Sequence, residues 1–395
     1  MKVIIKDGII IDGTGCPPVK GNLIIIDEKI VDVGPNLGRS VSGFDMVIEG
    51  EGKYVLPGFI NCHIHFTSNA GKDALNDMMR TDSYTATIQG MLVAERLLKA
   101  GITTVRDMGS KHFEIIAIRN AVNQRLIPGP RIVAAGQALL ISGGHFLGLE
   151  VDGVDACLAG ARTQIRAGAD FIKVVATGGL GKTDGIPGAQ ELTFEEMKAC
   201  FDIARMAGKT CASHAHGLEG IKAAIRAGVT SIEHGTMMDE DVMNMMIEQG
   251  VYLVPTFAAY WVIVEQGKKN GVPDHIIRSS QWVMEEKMPR FKKAVDKGVS
   301  IAFGTDGGSF INPHENLEVE CRCMIEGGMK PMDVIVSLTK NAADLLRLGD
   351  KLGTLEPGKL ADIVLLGGNP LEDIGQVSNV VAVLKEGQPT SVFPH

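Results

Sequence analysis

The sequence of 395 residues lacks the features that mark several functional classes. It has no basic stripe, and its formal net charge of −8 argues against a nucleic-acid or anionic-membrane partner. No apolar run is as long as a membrane-spanning helix. Asp7 and Asp12 interrupt the apolar N-terminal stretch, so no signal peptide is predicted. We therefore expect neither a membrane nor a nucleic acid as a partner.

The seven cysteines are scattered along the chain and form no CxxC pair. Cys321 and Cys323 make only a lone CxC, which is a weak signal for any site. An odd number of unpaired thiols fits a reducing compartment better than a disulfide framework. We therefore expect a cytoplasmic protein.

Both ends of the chain have the composition of short strands joined by tight turns. The first 55 or so residues are rich in Ile and Val, are punctuated by Asp, Gly and Pro, and show no helical periodicity. The stretch from about Lys351 returns to the same character. This arrangement predicts one small domain that is built from residues 1–56 and 351–395.

The middle of the chain, residues 57–350, alternates between strand-like and helix-like runs. Eight strand candidates are visible: GFINCHIHF, ITTVRDM, RIVAAG, FIKVVA, TCASHAH, SIEHG, YLVPTF and SIAFGTD. Such alternation predicts an α/β fold with a parallel (β/α)8 TIM barrel. An open doubly wound sheet is the alternative, but no GxGxxG follows the first strand. One helix is expected to begin with a capping box at Thr193 and Glu196, and several end in Ala-Gly.

Polar side chains of ligand type lie in or at the ends of these strands. They are His63, His65, Lys173, His214, His216, His234 and Asp306. In a parallel barrel, the functional site lies where the strands end and the following loops begin. We therefore expect these side chains to converge.

His63 and His65 form an HxH pair at the end of the first strand. Residues i and i+2 of a strand face the same side, so both rings can bind one ion. An HxH alone is equally typical of two structural histidines.

Lys173 interrupts an apolar strand. Burial of an ammonium is costly and lowers its pKa. A neutral amine can add CO2 to form a carbamate, whose two oxygens can bridge two cations. The alternative is a lysine with a buried stem and a solvated head.

His214 and His234 end successive strands and offer two more nitrogen ligands. His216 shares the face of His214, so spacing does not decide which of them binds metal. Asp306, in GTDGG, can ligate a cation and accept a proton, or can be a turn residue. A chance coincidence of all these residues on five strands is much less plausible than one metal site.

The chain resembles the amidohydrolase superfamily over nearly its whole length. LPGFINCHIHF is similar to the family's first-strand motif, and GTLEPGKLADIVLL to its C-terminal signature. The branch with Xaa-Pro dipeptidases and imidazolonepropionases is the most similar. The runs that support this branch are TTVRDMG, the SGGH of Ser142 to His145, IKVVATGG, SHAHG and SIEHGT.

The resemblance implies a (β/α)8 barrel with a small β-sandwich formed by both chain ends. It also implies two divalent metal ions, usually zinc, with N-carboxylated Lys173 as the bridge. His63, His65 and Asp306 would hold one ion, and His214 and His234 would hold the other. His214 is chosen because the family's ligand is the first His of its motif, which leaves His216 and His145 as substrate contacts. By analogy the chain forms a homo-oligomer.

These parts predict hydrolysis of a C–N bond in a small substrate, such as an Xaa-Pro-like dipeptide or an N-acyl amino acid. A metal-bridging hydroxide would attack the carbonyl. His145 would polarise that carbonyl, and Asp306 would transfer the proton to the leaving nitrogen.

Three other functions are alternatives to the hydrolysis of such a C–N bond. A deaminase is disfavoured, because the HxxE expected after strand 5 is missing and the bridging Lys is present. A cyclic-amide hydrolase of the imidazolonepropionase type would share the metals and differ only in its loops. A non-catalytic, metal-free scaffold would have lost ligands, and none is missing.

The loops after the strands are expected to shape the pocket. Tyr252 is a candidate substrate contact, together with Lys182, Tyr260 and Trp261. Packing within the loop is an equal alternative for Tyr260 and Trp261, and a solvated charge is the more usual role of a lysine such as Lys182. A cation that anchors a substrate carboxylate is not identified. Arg106 is one candidate, but its neighbour Asp107 suggests a structural ion pair instead.

Overall fold

The structure is a computed structural model that describes residues 1–35, 37, 43–180 and 187–390. Lys182 lies outside these ranges. Within them, every helix is too short or too polar to cross a membrane. The seven cysteines all fall inside the ranges and form no disulfide.

Strands dominate both ends of the chain, and strands alternate with helices between them. The strands are β1 (Lys2–Ile10), β2 (Val19–Ile26), β3 (Lys29–Gly34), β4 (Met46–Glu49), β5 (Tyr54–Pro57), β6 (Phe59–Ile64), β7 (Ile102–Asp107), β8 (Arg131–Ala134), β9 (Ala138–Leu140), β10 (Gly148–Glu150), β11 (Phe171–Val175), β12 (Thr210–Ala215), β13 (Ser231–His234), β14 (Tyr252–Val254), β15 (Ile363–Leu366), β16 (Val380–Lys385) and β17 (Gln388–Pro389). The helices are α1 (Ala74–Arg80), α2 (Ser83–Lys99), α3 (Glu114–Asn123), α4 (Val154–Ala167), α5 (Phe194–Met206), α6 (Leu218–Ala227), α7 (Glu240–Gln249), α8 (Phe257–Asn270), α9 (Asp274–Lys297), α10 (Leu317–Glu326), α11 (Pro331–Val336) and α12 (Ala342–Leu345). A π-helical turn, Ser337–Asn341, joins α11 to α12.

The two ends of the chain pair in one sheet. Its strand order is β17-β16-β15-β5-β1-β2-β3, and β4 pairs with β1. β5 from the N-terminal end pairs antiparallel with β15 from the C-terminal end. Alternate Ile and Val side chains of these strands point to one side and form their own buried cluster, which is why a sheet with one covered face forms here.

The middle of the chain forms parallel strands flanked by helices, which confirms the predicted α/β class. One sheet has the order β6-β7-β8, and another has the order β10-β9-β11-β12-β13-β14. All neighbours within these two sheets are parallel. Ala134 at the end of β8 connects the sheets, because its carbonyl oxygen accepts from the N–H of Asp170 at 2.7 Å.

The eighth predicted strand, SIAFGTD, is not a regular strand. Only isolated parallel bridges form there, between Ile301 and Leu253 and between Gly307 and Ile64. Between the bridges, the N–H of Ala302 donates to Leu253 of β14, but the N–H of Phe303 donates to the carbonyl oxygen of Ser337 in the π-helical turn instead of to β6, which interrupts the ladder. The segment still lies between β14 and β6. The strands β9 and β10 were not predicted, because three residues are too few to show the alternation of apolar and polar side chains that marks a strand.

The helix ends follow the local signals of the sequence. Thr193 and Glu196 form the predicted capping box at the start of α5. Gly168 and Gly228, which follow the Ala-terminated helices α4 and α6, take the left-handed conformation with φ of 100° and 96°. A residue with a Cβ is strained in this conformation, so glycine ends α4 shortly before β11 and α6 shortly before β13.

A partly buried cluster of charges connects the sheet of the chain ends to the parallel strands. Arg131 of β8 contacts Asp362 at 2.8 Å and Glu386 at 2.7 Å. The side chain of Asp362 is only 3% exposed. Loss of the guanidinium would leave this carboxylate buried without its cation.

We predict that Arg131→Met lowers the free energy of unfolding by about 3 kcal/mol, because it leaves the buried carboxylate of Asp362 without its cation. Chemical and thermal unfolding measure the change. The control is Arg205→Met, which removes an arginine that is 74% exposed and pairs with Asp202 at 2.7 Å. Equal stability of the two variants would contradict this role of Arg131.

Candidate metal centre

One cavity at the carboxyl ends of the parallel strands collects most of the polar side chains that the sequence singled out. The space between its walls, together with its opening to solvent, is about 770 Å3. The predicted residues that line it are His63, His65, His145, Lys173, His214, His216, His234 and Asp306. They come from strands and from the segments that follow strands, far apart in the sequence, and the parallel packing places the carboxyl ends of the strands together.

Lys173 faces the cavity because its neighbours in β11 face the other way. Ile172 and Val174 are buried in the main core with the helices, which turns the lysine side chain to the opposite face. Its Nζ atom is buried and has no hydrogen-bond partner among the described residues. Burial lowers the pKa of Lys173 to about 8, although the nearby Glu233 opposes this shift. A larger fraction of this amine is therefore neutral near pH 7 than in an exposed lysine.

His63, His65 and Asp306 form a first group of ligand atoms, which lie within 4.8 Å of one another. Oδ1 of Asp306 is 3.1 Å from Nε2 of His65 and 3.6 Å from Nε2 of His63. Burial lowers the pKa of His63 to about 4, so its imidazole is neutral at pH 7. Burial alone would raise the pKa of Asp306, but the hydrogen bond with His65 and the nearby rings bring it below its usual value. A neutral imidazole and an ionised carboxylate are the forms that bind metal.

His214, His216 and His234 form a second group, again with ligand atoms within 4.8 Å of one another. The ring of His216 stacks on that of His234, with centroids 4.8 Å apart and planes 8° from parallel. Burial lowers the pKa of all three rings well below the usual value. The rings are therefore neutral at pH 7 and able to donate a lone pair.

Hydrogen bonds distinguish His214 from His216, which distance alone does not. Nδ1 of His216 is 2.8 Å from the hydroxyl of Thr236, and its Nε2 is 3.3 Å from the hydroxyl of Tyr260. Nε2 of His214 is buried without a hydrogen-bond partner in the part of the chain that the structure describes. A metal ligand needs a free ring nitrogen, so this geometry favours His214.

A buried ion pair contacts the first group of ligand atoms from the protein interior. Nη2 of Arg106 is 2.8 Å from Oε1 of Glu233, and Oε2 of Glu233 is 2.8 Å from Nδ1 of His63. Burial would raise the pKa of Glu233, but Arg106 and His63 hold it at about 2. The carboxylate accepts the Nδ1 proton of His63 and leaves Nε2 for the cavity, as second partners of metal-binding histidines do.

The ion pair between Arg106 and Asp107 suggested by the sequence is absent. Adjacent strand residues point to opposite faces, so the two side chains diverge. The carboxylate of Asp107 accepts backbone N–H groups of Phe66 and Gly109 instead. Arg106 is engaged in the interior and does not line the cavity.

A second buried network fixes His234 from behind. Its Nδ1 is 2.7 Å from the hydroxyl of Thr256 and 3.1 Å from that of Tyr260. Thr256 has a left-handed φ of 54°. Lys287 of α9 donates to the carbonyl oxygen of Pro255, and its ammonium lies 4.9 Å from the centroid of the Tyr260 ring. These contacts leave Nε2 of His234 for the cavity.

The structure does not bring Tyr252 to the cavity, which corrects its predicted placement as a substrate contact. Tyr252 is the first residue of β14, away from the carboxyl end, and it packs against the apolar cluster that contains Ile60 and Leu345. Tyr260 lines the cavity instead. The predicted contact His145 also lines it, with its ring centroid 4.3 Å from that of His214.

Sequence reasoning missed Glu233 and Lys287 as parts of the site. Glu233 did carry a signal, because a charge in the short buried strand β13 is as unusual as Lys173 in β11. Lys287 carried little signal, since a lysine in a long helix is usually solvated. Its role depends on how α9 packs against α8, which the sequence pattern does not reveal.

The residues present fit bound metal ions, because they form two groups of possible ligands. Several buried polar atoms around the cavity have no hydrogen-bond partner among the described residues, including Nζ of Lys173, Nε2 of His214 and Nδ1 of His65. Unpaired buried atoms of this kind are rare in proteins, and an unseen ion is one standard explanation. Nitrogen and carboxylate oxygen donors suit zinc.

Comparisons with known proteins place the chain in a family. A model of the amidohydrolase family matches residues 54–393. The ochratoxinase of Aspergillus niger is 29% identical over 412 residues, which cover 94% of this chain and 82% of that protein. The imidazolonepropionase of Kosmotoga olearia is 22% identical over 426 residues, which cover 96% of each.

Solved structures agree with the sequence relatives. A Xaa-Pro dipeptidase with bound methionine in the active site is 36% identical, with a TM-score of 0.89 over 98% of this chain and 99% of that chain. A prolidase complexed with N-methylphosphonate-L-proline is 29% identical, with a TM-score of 0.90 over the same shares. This chain therefore belongs to the amidohydrolase family and is a hydrolase of carbon–nitrogen bonds.

Proposed function

We propose that the chain hydrolyses an amide or peptide-type bond of a small substrate at a centre of two divalent metal ions, with zinc as the expected metal. The observation that carries the proposal is the cavity where two groups of ligand side chains face the unpaired amine of Lys173. In this proposal His63, His65 and Asp306 would hold one ion, His214 and His234 would hold the other, and N-carboxylated Lys173 would supply carboxylate oxygens as further ligands.

The proposed substrates are dipeptides of the Xaa-Pro kind and N-acyl amino acids. The relatives described as a Xaa-Pro dipeptidase and a prolidase support this choice. A cyclic amide is the second candidate, favoured by the similarity to an imidazolonepropionase over nearly the whole chain.

The side chains of the cavity have separate roles in this reaction. Two bound cations would lower the pKa of a water and polarise the scissile carbonyl. Asp306, ionised at neutral pH, accepts the proton of the attacking water and passes it to the leaving nitrogen. His145 lies beside His214 and donates a hydrogen bond to the carbonyl oxygen of the substrate. His216 holds its place through Thr236 and Tyr260 and presents its ring to the substrate.

This proposal extends to the architecture. The parallel strands close into a (β/α)8 barrel of residues 57–350, and a β-sandwich domain forms from residues 1–56 and 351–395. The bridges of Ile301 and Gly307 to the last and the first of the parallel strands support closure. The pairing of β5 with β15 supports the shared terminal domain.

Amine release from a library of dipeptides and N-acyl amino acids tests the function. Protein purified with zinc and bicarbonate is expected to carry two metals and to cleave a subset of the library. Lys173→Ala should abolish cleavage, lower the metal count and remove the carbamate signal in 13C NMR with labelled bicarbonate. Lys198→Ala, which changes a lysine that is 48% exposed, is the control.

Full activity of Lys173→Ala, or of protein stripped of metal by a chelator, would refute the mechanism. Two bound metals without cleavage of any library member would move the assignment to a cyclic amide or another small amide.

Asp306→Asn is expected to retain bound metal and to lose at least about 100-fold in kcat, because the amide does not accept the proton. Metal analysis and steady-state kinetics measure the two effects. Asp296→Asn, at an exposed position, is the control. Near-normal turnover of the Asp306 variant would exclude the proton-transfer role.

Glu233→Gln is expected to weaken metal binding by about 10- to 100-fold, because it removes the carboxylate that orients His63 and leaves Arg106 without its counter-charge. Competition with a zinc chelator of known affinity measures the change. The exposed Glu248→Gln is the matched control. Unchanged affinity in the Glu233 variant would mean that His63 is held in place by packing alone.

A further inference from the structure

The upper part of the cavity is lined by apolar side chains, which we call the apolar wall. It consists of Leu75, Met78, Phe146, Leu180, Ile263 and Phe310. Leu180 and Phe310 pack on the buried cluster of Ile263, so one side of the wall is continuous. Phe146 stands over the proposed ligands, with its ring centroid 4.7 Å from that of His65. The wall therefore begins directly beside the place where a scissile bond would lie.

Much of this wall is incompletely buried in the protein alone. Leu75, Phe146, Leu180 and Phe310 are all half-buried, unlike the core residues beneath them. An apolar ligand group would cover this surface and remove it from water, which is favourable in proportion to the area covered. A ligand with a charged group at the same place would lose hydration without compensation.

Among the described residues that line the cavity, those with charged side chains lie at its floor. Among the described lining residues, only Lys173 is a lysine or an arginine, and only Asp306 is acidic. Both belong to the proposed metal centre. Arg106, the cation suggested by the sequence, is paired with Glu233 in the interior. A carboxylate bound against the wall would therefore meet no counter-charge from the described residues.

We propose that the substrate carries an uncharged hydrophobic group, aliphatic or aromatic, next to its scissile amide, and that its free carboxylate is dispensable. This inference rests on the proposed amide hydrolysis and deepens it. Dipeptides and N-acyl amino acids with apolar side chains remain substrates, but the apolar wall selects them through the side chain and not through the carboxylate.

Turnover of a matched pair tests the inference directly. N-benzoyl-leucine and N-benzoyl-isopentylamine differ only in the carboxylate, and the values of kcat/KM are expected to agree within about threefold. N-benzoyl-glutamate should be worse than either by at least about tenfold, a factor that corresponds to 1.4 kcal/mol. A loss of about tenfold or more on removal of the carboxylate would overturn the inference.

Binding of two hydroxamates tests the wall without turnover. Octanohydroxamate and suberic acid monohydroxamate share the metal-binding group and chain length, and differ by a terminal methyl or carboxylate. Calorimetry on the zinc-loaded protein is expected to give at least about tenfold tighter binding of the octanoyl compound. Equal or reversed affinities would overturn the inference alone, and no binding of either compound would overturn it together with the proposed metal centre. Since no amide is cleaved in this assay, it separates failure of the inference from failure of the proposed hydrolysis.

Variants of one helix provide the decisive control. Leu75→Lys places a cation in the apolar wall and should reverse the preference in favour of the carboxylate compound. Met79→Lys adds the same charge on α1 at a residue that is 50% exposed and does not line the cavity, so the preference for the octanoyl compound should persist.

Lys182→Met is measured in parallel, because Lys182 is a lysine that the sequence offers as a substrate contact. If the unaltered protein prefers the carboxylate compound and Lys182→Met abolishes that preference, Lys182 anchors the carboxylate and the inference is refuted.

Discussion

The position of the candidate centre depends on one buried guanidinium. Arg106 of β7 is 1% exposed and donates to the carbonyl oxygen of Cys62 at 2.7 Å, to Ser231 at 3.0 Å and to Glu233 at 2.8 Å. These contacts connect β6, β7 and β13 in the interior. A buried charge is tolerated only when its hydrogen bonds are nearly all made, so the strands are held where Arg106 requires them. Because Glu233 also binds His63, the same constraint orients a proposed ligand.

The cavity above this ion pair has the opposite character. Lys173 and His214 present buried nitrogen atoms without partners among the described residues, and each unpaired atom costs free energy of folding. The surrounding fold therefore holds these atoms in place at the expense of stability. A ligand that binds all of them at once would return this free energy on binding, which links occupancy of the centre to the stability of the chain.

Much of this arrangement followed from the sequence, because strand ends and the i, i+2 rule depend only on local pattern. His63 and His65 share a face for that reason, and the parallel order of the strands brings Lys173 to the same cavity. The choice between His214 and His216 did not follow. Both residues lie on one face, and the difference between them comes from side chains of other segments. The partner of Arg106 and the placement of Tyr252 could not be predicted from the sequence for the same reason.

The division between floor and wall has a consequence for how specificity can change. The proposed ligands come from strands and from the segment at Asp306, whereas most of the apolar wall comes from α1 and from loops, which tolerate substitution. Changes in α1 can therefore alter the bound group and leave the metal centre intact. Helix α8 is the exception, because Ile263 belongs to the wall while Tyr260, one turn earlier, contacts His216 and His234. A substitution that shifts α8 acts on both, so substrate preference and the orientation of the second ligand group are coupled through this one helix.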